Sequence, residues 1–262
     1  MLGPRPYARL MEARADDPLL LQVLPLQEER QTREGYIADP LGEQAANATP
    51  GIIHKYHGRL LLLAASGCAV NCRYCFRRHF PYSENRLSRA EWQQALDYVR
   101  ADHNISEIIL SGGDPLLLQD EDLARLINQC EAIPHVRRLR IHSRLPVVIP
   151  QRLTPELTDM LSASRLQASI VLHINHPREL SEEHRQRLQS LKNSGITLLN
   201  QSVILRKINN NISVLSELSE RLFEFGVLPY YLHLLDPVKG AHHFDVDQRE
   251  AVDLHRQMQA QL

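Results

Sequence analysis

The sequence has 262 residues, with 30 basic and 31 acidic side chains and a formal net charge of −1. That balance gives no bulk field toward nucleic acid or an anionic membrane surface, and the length suits one large α/β domain. Residues 1–17 lack the apolar core of a signal peptide, and the apolar run Leu60–Val70 is too short for a bilayer and interrupted by Ser66 and Gly67. A cytoplasmic protein with neither nucleic-acid nor membrane partners is expected.

Residues 1–58 carry polar helix formers, several prolines and one apolar segment at 18–25, and read as an N-terminal extension packed on the barrel with no chemistry of its own. From Arg59 a period sets in. Strand-like runs start near Arg59, Glu107, Arg137, Leu166, Thr197 and Val227, and after the first interval they recur about every thirty residues, the length of a strand plus its crossover helix. Helix signals fill the gaps. Ser88 and Glu91 form a capping box ahead of Trp92, Ala95, Leu96 and Val99 on one face. A helical stretch around Cys130 follows. Thr154-Pro155 and Ser181 open two further helices, the second ending near Gly195. Asn211 caps a helix whose stripe runs Ile212, Leu215, Leu218, Leu222 and Phe225 and stops at Gly226, and a last one covers Val246–Leu262.

Six β-α units in succession imply a parallel sheet with right-handed crossovers. The alternation within strands favours a partial (β/α)6 barrel over an open doubly wound sheet. Ser169, Val171, His173 and Asn175 alternate with Ile170, Leu172 and Ile174. Likewise Arg138, Arg140, His142 and Arg144 alternate with Leu139, Ile141, Ser143 and Leu145. One face suits helices and the other a barrel mouth. The expected division is an extension at 1–58 and a barrel at 59–262.

Three of the four cysteines lie within eight residues, which is no disulfide framework. Cys68, Cys72 and Cys75 form a C-x3-C-x2-C motif in the loop after the first barrel strand. Three thiolates hold three irons of a cubane and leave the fourth open to an outside ligand. A zinc site would need a fourth donor, and His79 is the candidate. Cys130 reads as a buried structural thiol.

The motif resembles that of the radical S-adenosylmethionine (SAM) superfamily. The wider sequence is similar to the lysine 2,3-aminomutases, most of all to the branch that makes (R)-β-lysine for modification of elongation factor P. The segments DPLLLQVLP, HKYHGRLLLL, GCAVNCRYCFRRHFPY, SGGDPL, RLRIHSRLP, HINHP, LLNQSVILR and PYYLHLLDPVKGAHHF carry the likeness, in order, across residues 17–244. It implies an isomerase with L-lysine as substrate, a [4Fe–4S] cluster, SAM and pyridoxal 5′-phosphate (PLP) as cofactors, and a reducing electron donor. It gives Gly112, Gly113 and Asp114 to SAM, where the bland reading is a strand-to-helix turn. Arg77 falls to the substrate carboxylate and Asp236 to its distal ammonium, against a surface arginine and a turn aspartate. His142, Ser143, Arg144, His173, Asn175, Gln201 and Ser202, at or near strand ends, are expected to contact SAM and PLP unless they are satisfied core groups. Arg59, beside Lys55 and Tyr56, matches the region for the PLP phosphate.

The resemblance also fails in one place. It puts the lysine that holds PLP covalently in a glycine-rich segment beyond the last barrel helix. Here the sequence stops at Leu262, and Lys55, Lys192, Lys207 and Lys239 all lie outside such a context. Lys239 is the nearest substitute. No catalytic residue is assigned, and a fragment or truncated product is expected. Two alternatives stay open, a radical SAM enzyme acting on another amino acid or a macromolecule, and a non-catalytic iron–sulfur scaffold. A homo-oligomer is also left open.

Overall fold

The computed structural model describes residues 3–82 and 89–262. Its centre is a seven-stranded sheet in the order β1 to β7. Strand β1 (Ile52–Tyr56) pairs antiparallel with β2 (Arg59–Ala65). From β2 onward every pairing is parallel, through β3 (Glu107–Gly112), β4 (Arg138–Ser143), β5 (Gln167–His173), β6 (Thr197–Val203) and β7 (Leu228–His233). Each parallel strand is followed by a helix: α1 (Arg89–Ala101), α2 (Asp120–Glu131), α3 (Pro155–Ser162), α4 (Glu182–Asn193), α5 (Ile212–Glu224) and α6 (Gln248–Gln261). This is the expected six-unit partial barrel, with β1 and β7 as its edges. Among the described residues no helix is long and apolar enough to cross a membrane.

The sequence signals act where they were placed. Thr154 Oγ1 accepts from Leu157 N at 3.2 Å to start α3, and Asn211 Oδ1 accepts from Ser213 N at 2.8 Å to start α5. Gly226 stops α5 at φ +73°. The capping box at Ser88 lies outside the described residues. Alternation also holds: Leu139, Ile141, Ile170 and Leu172 are buried in one core beneath the helices, while Arg140, His142 and His173 face the barrel interior and are only half-buried.

The extension packs against the barrel, and its last strand joins the sheet. Tyr56 and Arg59 are paired across a hairpin, so a division at residue 58 would cut between β1 and β2. Ile52 of β1, Tyr7 and Leu19 belong to the same buried core as the barrel helices. The extension is part of the barrel. Only two consecutive isoleucines announce β1, too little alternation to distinguish it from a loop.

Candidate active site

A cavity of about 530 Å³ opens where the parallel strands end, walled by the loop after β2 that carries the cysteines. This is the end at which a barrel presents its loops. Backbone contacts place that loop. Gly113 N donates to Ala65 O and Asp114 N to Gly67 O, both at 2.7 Å. A Cβ on Gly112 would lie 2.6 Å from Ala65 O, and one on Gly113 would overlap the carbonyl oxygen of Gly67. The glycines are required by the close approach of two chain segments, with φ +112° at Gly112. The carboxylate of Asp114 accepts from Ser143 Oγ (2.6 Å), Leu116 N (3.1 Å), Arg144 N and Leu145 N (both 2.8 Å). It ties the end of β3 to the end of β4.

Residues of the extension clamp the same loop. Glu29 forms ion pairs with Arg73 and Arg78, and Arg73 N donates to Gln22 O at 2.9 Å. Burial alone would raise the Glu29 carboxyl, but hydrogen bonds from the two arginines outweigh it and bring the group down to about 2. A carboxyl depressed on folding contributes stability above its unfolded value of about 4.3 and loses it as pH falls toward the folded value. Glu29→Gln is therefore expected to cost about 1–2 kcal/mol at pH 7, a gap that narrows below about pH 4. Urea unfolding across that pH range checks it; a gap independent of pH would remove the charge from the explanation.

Cys68, Cys72 and Cys75 all line the cavity. Burial, with the neighbouring thiols, pushes Cys68 up to about 12, and burial foremost pushes Cys75 up to about 11. Thiolates so placed need a multivalent cation to form. Among the described residues no three His, Cys, Asp or Glu donors converge on a single-ion site. A cubane takes each thiolate on a different iron, and three thiols on one loop lining one cavity offer that donor set. His79, the fourth donor a zinc site would want, has Nε2 at 3.0 Å from Lys239 O. Two buried nitrogens of the cavity wall, Arg144 Nε and His142 Nε2, have no partner in the protein. Buried polar atoms are nearly always satisfied, so a polar ligand belongs there. The residues present thus fit a cluster and SAM. They offer PLP no covalent anchor, since no lysine among the described residues lines the cavity and Lys239 is exposed.

Arg77 is buried, and its Nε and Nη2 each donate to a Glu43 oxygen at 2.7 Å while Nη1 donates to Ser111 Oγ at 2.8 Å. A guanidinium has five N–H groups and two bidentate edges. Glu43 takes the side edge, leaving one proton on each terminal nitrogen for a carboxylate in the cavity. Asp236 lines the same cavity, and burial and the charge of Glu43 push its carboxyl up, only partly offset by Lys55. That carboxylate is short of a cation. On the floor, burial and the surrounding arginines hold His142 down at about 3, so it is a neutral imidazole. His173, likewise lowered by burial, receives the Gln201 amide nitrogen at 2.6 Å.

The structure does not bring four of the expected residues to the cavity wall. Ser143 and Ser202 have the opposite strand parity from His142 and Gln201. Ser143 serves Asp114, and Ser202 donates to Ile174 O at 2.7 Å. Asn175 lies behind the cysteines, its Nδ2 donating to Tyr74 OH (2.7 Å) and Gln22 Oε1 (3.0 Å). Arg59 begins β2 at the far end of the barrel, its guanidinium 4.5 Å over the Tyr56 ring, and Lys55 donates to Leu41 O. Sequence reasoning missed Glu43, Glu29, Tyr7, Gln22 and Glu179. Its one usable signal was the arginine excess of the cysteine loop, which demands carboxylate partners from elsewhere.

Comparison with known proteins identifies the family and the fold. Residues 63–211 match the model of the radical SAM superfamily. The chain is 51% identical over 258 residues to an L-lysine 2,3-aminomutase of Haemophilus influenzae, covering 98% of this chain and 76% of that protein. It is 53% identical over 256 residues to an L-lysine 2,3-aminomutase of Escherichia coli strain K12, covering 97% and 75%. Among solved structures, coproporphyrinogen III oxidase from Escherichia coli, a radical SAM enzyme, superposes with a TM-score of 0.51 at 14% identity. That match covers 92% of this chain and 61% of that one, and speaks for the fold alone.

Proposed function

Because this chain belongs to the radical SAM superfamily and, within it, to the L-lysine 2,3-aminomutase family, we propose that it isomerises L-α-lysine to (R)-β-lysine, which then modifies elongation factor P. One observation carries the substrate: a single cavity holds the cysteine triad, the free edge of Arg77 and the cation-poor carboxylate of Asp236. An α-amino acid with a distal ammonium satisfies both ends. Arg77 holds the carboxylate bidentately, steadied from behind by Glu43 and Ser111. Asp236 takes the ammonium, which restores the charge its site lacks. The neutral imidazoles of His142 and His173 bring no positive charge near that ammonium. Cys68, Cys72 and Cys75 hold a [4Fe–4S] cluster, which with SAM and an external reductant supplies the radical chemistry. PLP, when bound, supplies the C=N bond that a migrating nitrogen requires.

The test is an anaerobic incubation with lysine, SAM, PLP and dithionite, followed by chiral chromatography of the amino acids. (R)-β-lysine as the product supports the proposal. A different amino acid formed from lysine, or 5′-deoxyadenosine formed at the same rate with and without lysine, would refute it.

A further inference from the structure

Arg144 is one of the residues expected at the SAM and PLP contacts, but most of its guanidinium is committed elsewhere. Nη1 lies 3.3 Å from Cys72 Sγ. Nη2 donates to Glu179 Oε1 and Gln22 Oε1, both at 2.8 Å, and to Tyr7 OH at 3.2 Å. Its carbon sits 5.4 Å from the Tyr74 ring centroid and 5.8 Å from that of Tyr7. The partners are themselves held. Glu179 Oε2 accepts from Asn175 N (2.6 Å) and His176 N (3.0 Å), and Asn175 Nδ2 donates to Gln22 and Tyr74. Arg144 and Glu179 are 5% and 0% exposed, so solvent neither screens the pair nor lets it swing away.

We propose that Arg144 is a positioning residue for the cluster, a fixed cationic donor to the sulfur of Cys72 that makes the cluster easier to reduce. This rests on the reading that the triad holds a [4Fe–4S] cluster. Reduction adds one electron, drawn from an external one-electron donor such as dithionite, and concentrates negative charge on the cluster and its sulfurs. A hydrogen bond from a cation to a ligand sulfur stabilises that form more than the oxidised one. Glu179 balances the charge from the far side, so the pair points its positive end at Cys72. The extension takes part through Tyr7 and Gln22, which fix the guanidinium's distance from the sulfur.

The experiment is an EPR-monitored redox titration of anaerobically reconstituted protein without SAM or lysine, with loading checked first by iron and sulfide content. A protein that loads no iron–sulfur chromophore removes the cluster reading itself, and this proposal with it. In loaded protein, Arg144→Met is expected to lower the equilibrium constant for reduction by at least about tenfold, or 59 mV for a one-electron couple. Arg144→Lys should recover part of that loss. Glu179→Gln should shift the midpoint the opposite way, because it strips the balancing charge and leaves the cation. An unchanged midpoint in loaded Arg144→Met overturns the proposal. If that variant takes up no cluster, pulsed EPR of the reduced wild-type protein carrying 15N-labelled arginine decides. A 15N coupling to the cluster supports the contact, and its absence overturns it.

Discussion

Anaerobic reconstitution is expected to load about four irons and four sulfides per chain, and Cys68→Ala, Cys72→Ala or Cys75→Ala to abolish reductive SAM cleavage outright. The three substitutions should be equivalent because each removes the anchor of a different iron, and a cubane missing one thiolate either fails to assemble or sheds the iron left without an anchor. Cys130→Ala is the control. That thiol is buried in α2 among apolar core residues and does not line the cavity that holds the other three. Iron content, the visible chromophore and 5′-deoxyadenosine formation report the result. Tight zinc binding without an iron chromophore would contradict it.

Asp236→Asn is expected to weaken lysine by about 30-fold to several thousand-fold, the equivalent of about 2–5 kcal/mol for stripping one partner from a partly buried ion pair. The size follows from the site's charges. In the proposed pose Arg77 is already neutralised on one edge by Glu43, so a substrate carboxylate would meet a balanced pair, whereas a distal ammonium would meet the Asp236 carboxylate, which Lys55 offsets only in part. Competition experiments should show the loss for lysine and little change for a neutral amino acid of similar length. Equal losses for both would mean that Asp236 shapes the cavity instead of selecting the ammonium, and unchanged lysine turnover would remove it from the site.

What the sequence disclosed and what it hid divide along physical lines. The thirty-residue rhythm is local. Each strand needs its apolar face and each helix its cap, so Thr154, Asn211 and the alternation of β4 and β5 could be read directly. The cysteine loop was legible for the same reason, as three ligands spaced on one turn-rich segment. Parity settled what proximity could not. Ser143 and Ser202 adjoin cavity residues in sequence, yet a strand sends neighbouring side chains to opposite faces, so Ser143 donates to the Asp114 carboxylate and Ser202 to the carbonyl of Ile174. The carboxylates that hold the arginines were hidden because they come from afar. Glu43 meets Arg77 across 34 residues and Glu29 meets Arg78 across 49, and Tyr7 reaches Arg144 across 137. Pairings at such separations leave no periodic mark, and the extension that supplies them looked inert.

The account's central claim is that a radical made at this cavity acts on lysine bound between Arg77 and Asp236. Lysine deuterated at the β-carbon, incubated anaerobically with the reconstituted protein, SAM, PLP and dithionite, tests it most directly, with 5′-deoxyadenosine analysed by mass spectrometry. The account predicts deuterium in the recovered 5′-deoxyadenosine, at a level that falls sharply in Asp236→Asn. Formation of 5′-deoxyadenosine free of deuterium, at the same rate with and without lysine, would contradict it.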